Sequence, residues 1–295
     1  MGWDESLVLW CAVWGVAALV GYGMSLAGVT KAQRTVRLTG RIQRVREPRH
    51  GGSRKGGISV VVSYRDPASG QEVTVTNDGE RGGTVISCAW EGREIGVSHP
   101  RGRPHACRFS DTPEKPSRGL GWPSFAVFLV YAGLVVLAAV DWGWPWALIG
   151  FAGPWAVSGA VHLPGAVRAR NRRIERLAAM DSARGRIVAV LKDVSVDDDG
   201  HTSTTITPVV SFTTREGTAV TAYCTANLPN PAGAYGRDVT VHYASADPAE
   251  FTLDRAAEQR SEGRQVTFHV LAIVVLVATA VAGAVMLRSP GGGLR

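Results

Sequence analysis

The chain has 295 residues and a formal net charge of +7, with 45% hydrophobic and 19% charged residues. That length suits two average domains, and the composition is apolar for a basic protein. Four cysteines (Cys11, Cys88, Cys107, Cys224), with no CxxC and no His–Cys pair at zinc-ligand spacing, argue against a disulfide scaffold or zinc module and leave reduced, incidental thiols. Arginine supplies 28 of the 32 basic residues, which with the many Ala, Gly and Val suggests a high-GC bacterial genome.

In chain order, residues 6–29 (SLVLWCAVWGVAALVGYGMSLAGV) carry no charge. At about 1.5 Å per residue they can cross a hydrocarbon core of about 30 Å. The preceding MGWDES holds Asp4 and Glu5 and no basic residue, so a retained span is expected, not a cleaved signal peptide. Residues 35–110 then read as β-rich. Two more spans follow at 122–140 and 144–163, separated by DWGWPW. Trp142, Trp144 and Trp146 around Asp141 read as interfacial anchors at the turn of a helical hairpin; a buried hairpin in a soluble core is the alternative. RARNRRIER (168–176) follows, and a helix over 172–180 is expected to lead into a second β-rich region, 182–254. The last span is 266–287.

The flanks predict orientation. Lys31, Arg34, Arg37 and Arg41 follow the first span, and Arg168, Arg170, Arg172, Arg173 and Arg176 follow the third. The other side carries Asp4, Glu5 and Asp141, with Arg288 and Arg295 after the last span. Basic residues near span ends favour the cytoplasm, so both β-regions are expected there and both termini outside. The arginine cluster at 168–176 is expected to set topology and meet anionic lipid. Nucleic acid is not expected, because no reading motif accompanies it. Within the spans, Ala278 and Ala282, and Gly15 and Leu19, offer small residues, and close helix packing is expected for the first pair.

The two β-regions repeat one pattern. TGRIQRV (39–45) matches RGRIVAV (184–190), and VVVSYRDPASGQEVTV (60–75) matches PVVSFTTREGTAVTA (208–222). GREIGVSHPRGRP (92–104) matches GRDVTVHYASADP (236–248). Each region reads as an opening strand, a hairpin, a fourth strand and a closing strand, about five in all. Short antiparallel strands of this kind suggest a small barrel, whose closure would protect their edges. The predicted architecture is therefore a membrane protein: four transmembrane α-helices with two small all-β, five-stranded barrel-like soluble domains, arising from duplication of a span–domain–span unit.

Laid out this way, the repeat resembles the bacterial domain-of-unknown-function family numbered 3592. The first copy carries Gly40, Ile42, Tyr64, Gly70, Gly92, Ile95, Val97, Pro100 and Pro104, with His99 where the pattern has Tyr. The second carries Gly185, Ile187, Phe212, Gly217, Gly236, Val239, Val241, Tyr243 and Pro248, with Ala244 in place of the first proline. The resemblance covers about 150 residues. It implies a membrane-anchored protein and brings no activity and no functional residues.

Motifs for chemistry are sparse. HGGSRKGGIS (50–59) lacks the phosphate-loop pattern and reads as a flexible hairpin loop. DVSVDDDGHTST (193–204) lacks the Gly and Glu of a calcium loop and reads as a solvated acidic turn. The two loops occupy equivalent places with opposite charge. Arg49, Arg54 and Lys55 stand against Asp197, Asp198 and Asp199, so the domains could pack side by side through them, although exposed pairs contribute only about 0–1 kcal/mol. The histidines are scattered, and no catalytic motif is present. His242, Tyr243 and Asp247 sit together in sequence, yet their partners in the first copy are Ser98, His99 and Arg103, so a strand and its exit turn are expected there. The expected role is non-enzymatic: binding or scaffolding with a protein partner or homo-oligomer, with no cofactor, metal or catalytic residues. The alternative is a membrane sensor or transport accessory. A convergent His/Asp/Cys cluster would favour an enzyme instead.

Overall fold

The computed structural model describes residues 3–30, 33–54, 57–77, 85–113, 118–197, 199–224 and 228–288. Lys31, Lys55, Asp198 and Arg295, used above, lie outside these. The chain forms two compact units, one of Met1–Gln33, Ser117–Glu175 and Gln259–Arg295, the other of Arg34–Pro116 and Arg176–Glu258.

The first unit is built on four helices: α1 (Trp3–Leu26), α2 (Gly121–Trp142), α3 (Pro145–Ala178) and α4 (Arg255–Arg288). All four are long and apolar enough to cross a membrane. α3 and α4 have 34 residues each, about 51 Å at 1.5 Å per residue. The apolar stretches expected at 144–163 and 266–287 are thus parts of longer helices. The charged extensions RARNRRIERLA and RAAEQRSEGRQ are rich in Ala, Arg, Glu and Gln, which favour helix, and no proline follows Pro164 to end α3.

Neighbouring helices run antiparallel and meet at glycines. A Cβ on Gly133 of α2 would lie 2.7 Å from Cys11 Sγ of α1, and one on Gly159 of α3 would lie 2.8 Å from Ile273 Cγ1 of α4. The small-residue spacings read from the sequence are not the contacts used. Gly15 has nothing within 4 Å of its Cβ position, and Ala278 and Ala282 are exposed. The neighbouring Gly283 packs instead, against Pro145 and Leu148. Pro154 inside α3 has no N–H, which leaves the Gly150 carbonyl without its helical donor. The Tyr131 hydroxyl of α2 donates to that carbonyl.

The second unit holds two sheets. In the first, β1 (Thr35–Val45), β2 (Val60–Arg65), β3 (Glu72–Thr76), β5 (Glu94–Pro100) and β6 (Arg108–Ser110) lie in the order β3-β2-β1-β5-β6. In the second, β7 (Asp181–Val196), β8 (Thr202–Thr213), β9 (Ala219–Tyr223), β10 (Asp238–Ala244) and β11 (Asp247–Thr252) repeat that order as β9-β8-β7-β10-β11. A two-residue strand from the first copy, β4 (Cys88–Ala89), is added at the β9 edge. The ladders are open: among the described residues none joins β3 to β6 into a ring.

The registers repeat as well. Gly40 lies opposite Ile95, and Gly185 opposite Val239. Both β1 and β7 are bulged just after the paired isoleucine, Ile42 or Ile187. Gly40 and Gly185 have one physical reason. A Cβ would lie 2.6 Å from Val97 and 2.7 Å from Val62 in the first copy, and 2.7 Å from Val241 and 3.0 Å from Val210 in the second. The stretches that resemble a closing motif, β5 and β10, lie one in from the sheet edge, because β6 and β11 follow them. The fifth strand of each sheet is therefore this later one, and the strand before the closing motif in the first copy, β4, pairs with the other sheet.

The two sheets do not keep separate cores. Ala189, Leu191, Val209 and Tyr223 of the second copy are buried in one cluster with Ile42, Val62, Ile95 and Val97 of the first. Cys88 is buried in the cluster built around Ile187, Phe212 and Tyr243.

Candidate functional site

The two copies are joined at a seam, and the first copy holds the parts that make it. The backbone N–H of Tyr223 donates to Ser87 O at 2.7 Å, beside the β4–β9 pairs Cys88–Ala222 and Ala89–Thr221. Two residues alone do not make a strand. Asp111 and Arg93 hold this one. The Asp111 carboxylate accepts from Ser87 Oγ at 2.6 Å and from Ser87 N at 3.1 Å. Arg93 pairs with that carboxylate at 3.2 Å, donates to Cys88 O, and lies over the Trp90 ring at 4.9 Å. In the second copy the equivalent Arg237 donates to Pro229 O at 3.4 Å, and the segment there is a short 3-10 turn, Pro231–Gly233.

A second contact closes the other part of the seam. β7 runs on past its pairing with β10, which ends at Arg186, leaving an edge along Val190–Asp193. Residues 50–54 occupy it. Gly51 N donates to Val190 O at 2.9 Å, and Lys192 N to Gly52 O at 3.0 Å. His50 Nδ1 accepts from Val190 N at 3.1 Å, and its ring stacks on Tyr235 at 4.1 Å. Asp193 accepts from Ser53 Oγ at 2.5 Å and from Arg54 N at 3.2 Å, while Arg54 lies over the Tyr223 ring at 5.6 Å. Burial pushes the Tyr223 phenol up to about 12.

This corrects the reading of both loops. HGGSRKGGIS is not a free hairpin loop, since its first residues dock on β7. Its acidic counterpart is Asp193, a strand residue paired with Thr205 in the β7–β8 hairpin. A calcium loop beginning at Asp193 is excluded by that pairing. Asp197 turns back to accept from His201 N at 2.6 Å.

The copies also differ at one buried position. In the second, Phe212, Tyr243 and Phe251 form an aromatic cluster with centroids 5.6 and 5.9 Å apart. By register, the first copy places Tyr64, His99 and Cys107 there, and Asp66 lies beside them. All four are buried. His99 Nδ1 donates to Pro100 O at 2.9 Å, and Nε2 stands 4.0 Å from Asp66 Oδ1 without a hydrogen bond. The Asp66 carboxylate accepts from Ser69 Oγ at 2.8 Å, and from Ser69 N and Ala68 N. The Ser69 hydroxyl leads the interactions that hold its pKa below the usual carboxylate value. Tyr64 Oη donates to Pro104 O at 2.5 Å, and burial pushes this phenol up to about 12. Single-residue reading missed this cluster. The signal for it was the His99-for-Tyr departure from the repeat.

The residues singled out from the sequence are not gathered in one place. Trp142 ends α2, and Trp142 and Trp146 meet edge-on at 5.6 Å across the turn; Trp142, Trp144 and Trp146 are all exposed. Arg168, Arg170, Arg172, Arg173 and Arg176 all lie on α3. Arg176 pairs with Glu250 at 2.5 Å, and Arg170 packs toward Gly263 of α4. Tyr243 accepts from Arg215 N at 2.7 Å, whereas Asp247 accepts from Ala249 N at the start of β11. Burial, then the nearby Arg255, lowers the pKa of His242. No group of three His, Cys, Asp or Glu suited to a metal ion occurs among the described residues.

No family model, curated protein or solved structure matches the chain. The resemblance to family 3592 rests on the quoted residues alone.

Proposed function

We propose that this is a multi-pass protein of a bacterial plasma membrane that presents one composite β-unit to the cytoplasm, with both termini outside, and that it binds or scaffolds a protein partner. The observation that carries the reading is the seam. Strand pairing between β4 and β9 requires residues 34–116 and 176–258 to share one side of any bilayer. Two spans between them, α2 and α3, give the same result. The excess of arginine after the first and third spans supports the cytoplasmic side.

Binding is favoured over catalysis because the polar cluster is occupied with structure. Asp66 caps its own turn, Tyr64 holds a backbone carbonyl, and His99 is sealed at 2% exposure. A sensing role is the second reading, supported by the same His99. Its Nε2 stands 4.0 Å from Asp66 Oδ1 with no hydrogen bond, a polar pair left unsatisfied inside the first copy.

Cysteines at the exposed turn positions Ser69 and Glu216, one in each copy, test the topology. Both are expected to resist an impermeant maleimide in intact cells and to react after lysis, while the protein stays in carbonate-washed membranes. Reaction of either in intact cells would overturn the cytoplasmic assignment. The native Cys88 and Cys224 do not serve, because both are buried.

A further inference from the structure

One end of the first sheet is strongly basic, and the repeat supplies its own control. Arg37 of β1 lies opposite Ser98 of β5, which lies opposite Arg108 of β6. Directly opposed residues share a face of a sheet. The inward neighbours Leu38, Val97 and Phe109 belong to the core. Arg37 and Arg108 therefore project outward on either side of Ser98. The strands end in a turn beside them. There Arg101 N donates to Arg34 O, and Arg103 N to Pro100 O. Five arginines, Arg34, Arg37, Arg101, Arg103 and Arg108, thus gather at one sheet end, four of them exposed and Arg37 half-buried.

The repeat does not demand them. The equivalent residues of the second copy are Ala179, Ser182, Ser245, Asp247 and Thr252, which include no cation. Matched by the repeat, these strand ends and the turn beside them carry five positive charges in one copy and one negative charge in the other. The basic end is therefore particular to the first copy.

We propose that this arginine end binds the anionic headgroups of the membrane that anchors the chain. Arg34 is the eighth residue after Leu26, the end of α1. At no more than about 3.6 Å per residue, the chain keeps it within about 29 Å of that helix end. A patch tethered so close to a lipid surface meets it at high effective concentration. Each arginine near an anionic surface strengthens attachment about fivefold. Residues 35, 36, 102 and 104–107 between these arginines hold no Phe, Tyr or Trp, and His105 is the one aromatic ring among them, a small stacking platform that favours a headgroup surface over single-stranded nucleic acid. The proposal rests on the membrane reading above.

The test uses the full chain in vesicles of phosphatidylcholine, with or without about one third phosphatidylglycerol. A fluorophore is placed at T39C, on the outward face beside Arg37, or at T240C on the equivalent face of the second copy, and quenched by a headgroup-labelled lipid. Signal from Cys11 is subtracted with the unsubstituted chain. Quenching at T39C is expected to rise at least about twofold with phosphatidylglycerol and to return to its starting level in 1 M salt, where the screening length is about 3 Å. The variant R34Q/R37Q/R101Q/R103Q/R108Q is expected to abolish the rise, and T240C to show none. Because the salt arm uses intact arginines, the proposal stays testable if the variant does not fold. Quenching at T39C independent of phosphatidylglycerol, in protein that resists carbonate, overturns the proposal and leaves the membrane reading intact. Extraction by carbonate overturns the membrane reading itself.

Discussion

At the scale of the residue, the repeat proves to be a physical constraint. Gly40 and Gly185 occupy the same crossing of three strands, and each faces a valine on either side. Either alanine substitution is expected to destabilise the β-unit by about 1–3 kcal/mol through overpacking, read as a lower melting temperature. Such glycines are legible in the repeat because the valines on either side leave no room for a side chain in either copy. The buried cluster of Tyr64, Asp66, His99 and Cys107 was not, because its members come from two strands, β2 and β5, and from the segments that follow β2 and precede β6. Its titration makes two predictions. Asp66 has a depressed folded pKa, so its contribution is present above the ordinary carboxylate value and is lost as pH falls through the folded one. D66N is therefore expected to weaken the acid dependence of stability, measured by denaturation across pH 2–6. Tyr64 and Tyr223 are both pushed up to about 12. The folded protein keeps these protons when an unfolded chain releases them near pH 10, so stability should decline as pH rises through that window. Ultraviolet titration should show phenols released well above pH 10, and Y64F should remove one of them.

At the scale of the element, pattern and boundary were unequally legible. Uncharged runs located α1 and α2, although α1 (Trp3–Leu26) takes in Asp4 and Glu5 and stops before the end of the run at residue 29. α3 and α4 extend well beyond their apolar parts, since helix-forming charged residues continue them. The length of β7 and β8 was missed for a related reason. DVSVDDDGHTST looks like a loop by composition, yet Val194 and Val196 alternate with polar residues, and its first four and last three residues are strand. β4 is too short to carry any periodicity, and Asp111 and Arg93 fix it from elsewhere in the chain. R93Q is expected to free β4, raising amide exchange at Tyr223, whose N–H is bonded to Ser87 O, by about tenfold or more while leaving exchange along the β7–β8 ladder unchanged. In the helices, Y131F would leave the Gly150 carbonyl without the donor that replaces the missing Pro154 N–H. A loss of about 1–3 kcal/mol is expected, read by thermal unfolding in detergent.

At the scale of the whole molecule, a duplicated span–domain–span chain is expected to give two similar domains. The strand orders do repeat, but the copies have diverged into complementary parts. The first contributes β4 and residues 50–54, and the second contributes the β9 edge and the free edge of β7. Periodicity reveals that two segments are alike; it does not reveal that one has become the partner of the other. The charge contrast between loops pointed to the correct region through the wrong acids, because Asp193 was read as the start of a turn and is a strand residue facing Ser53. The central claim is that both copies form one β-unit on one side of the membrane. The most direct measurement pairs S53C with D193C, positions whose side chains now meet at 2.5 Å, in the full chain within native membranes under mild oxidation. The account predicts an intramolecular disulfide, identified by mass spectrometry of the linked peptides. Two cysteines that remain separate and individually alkylated would contradict it.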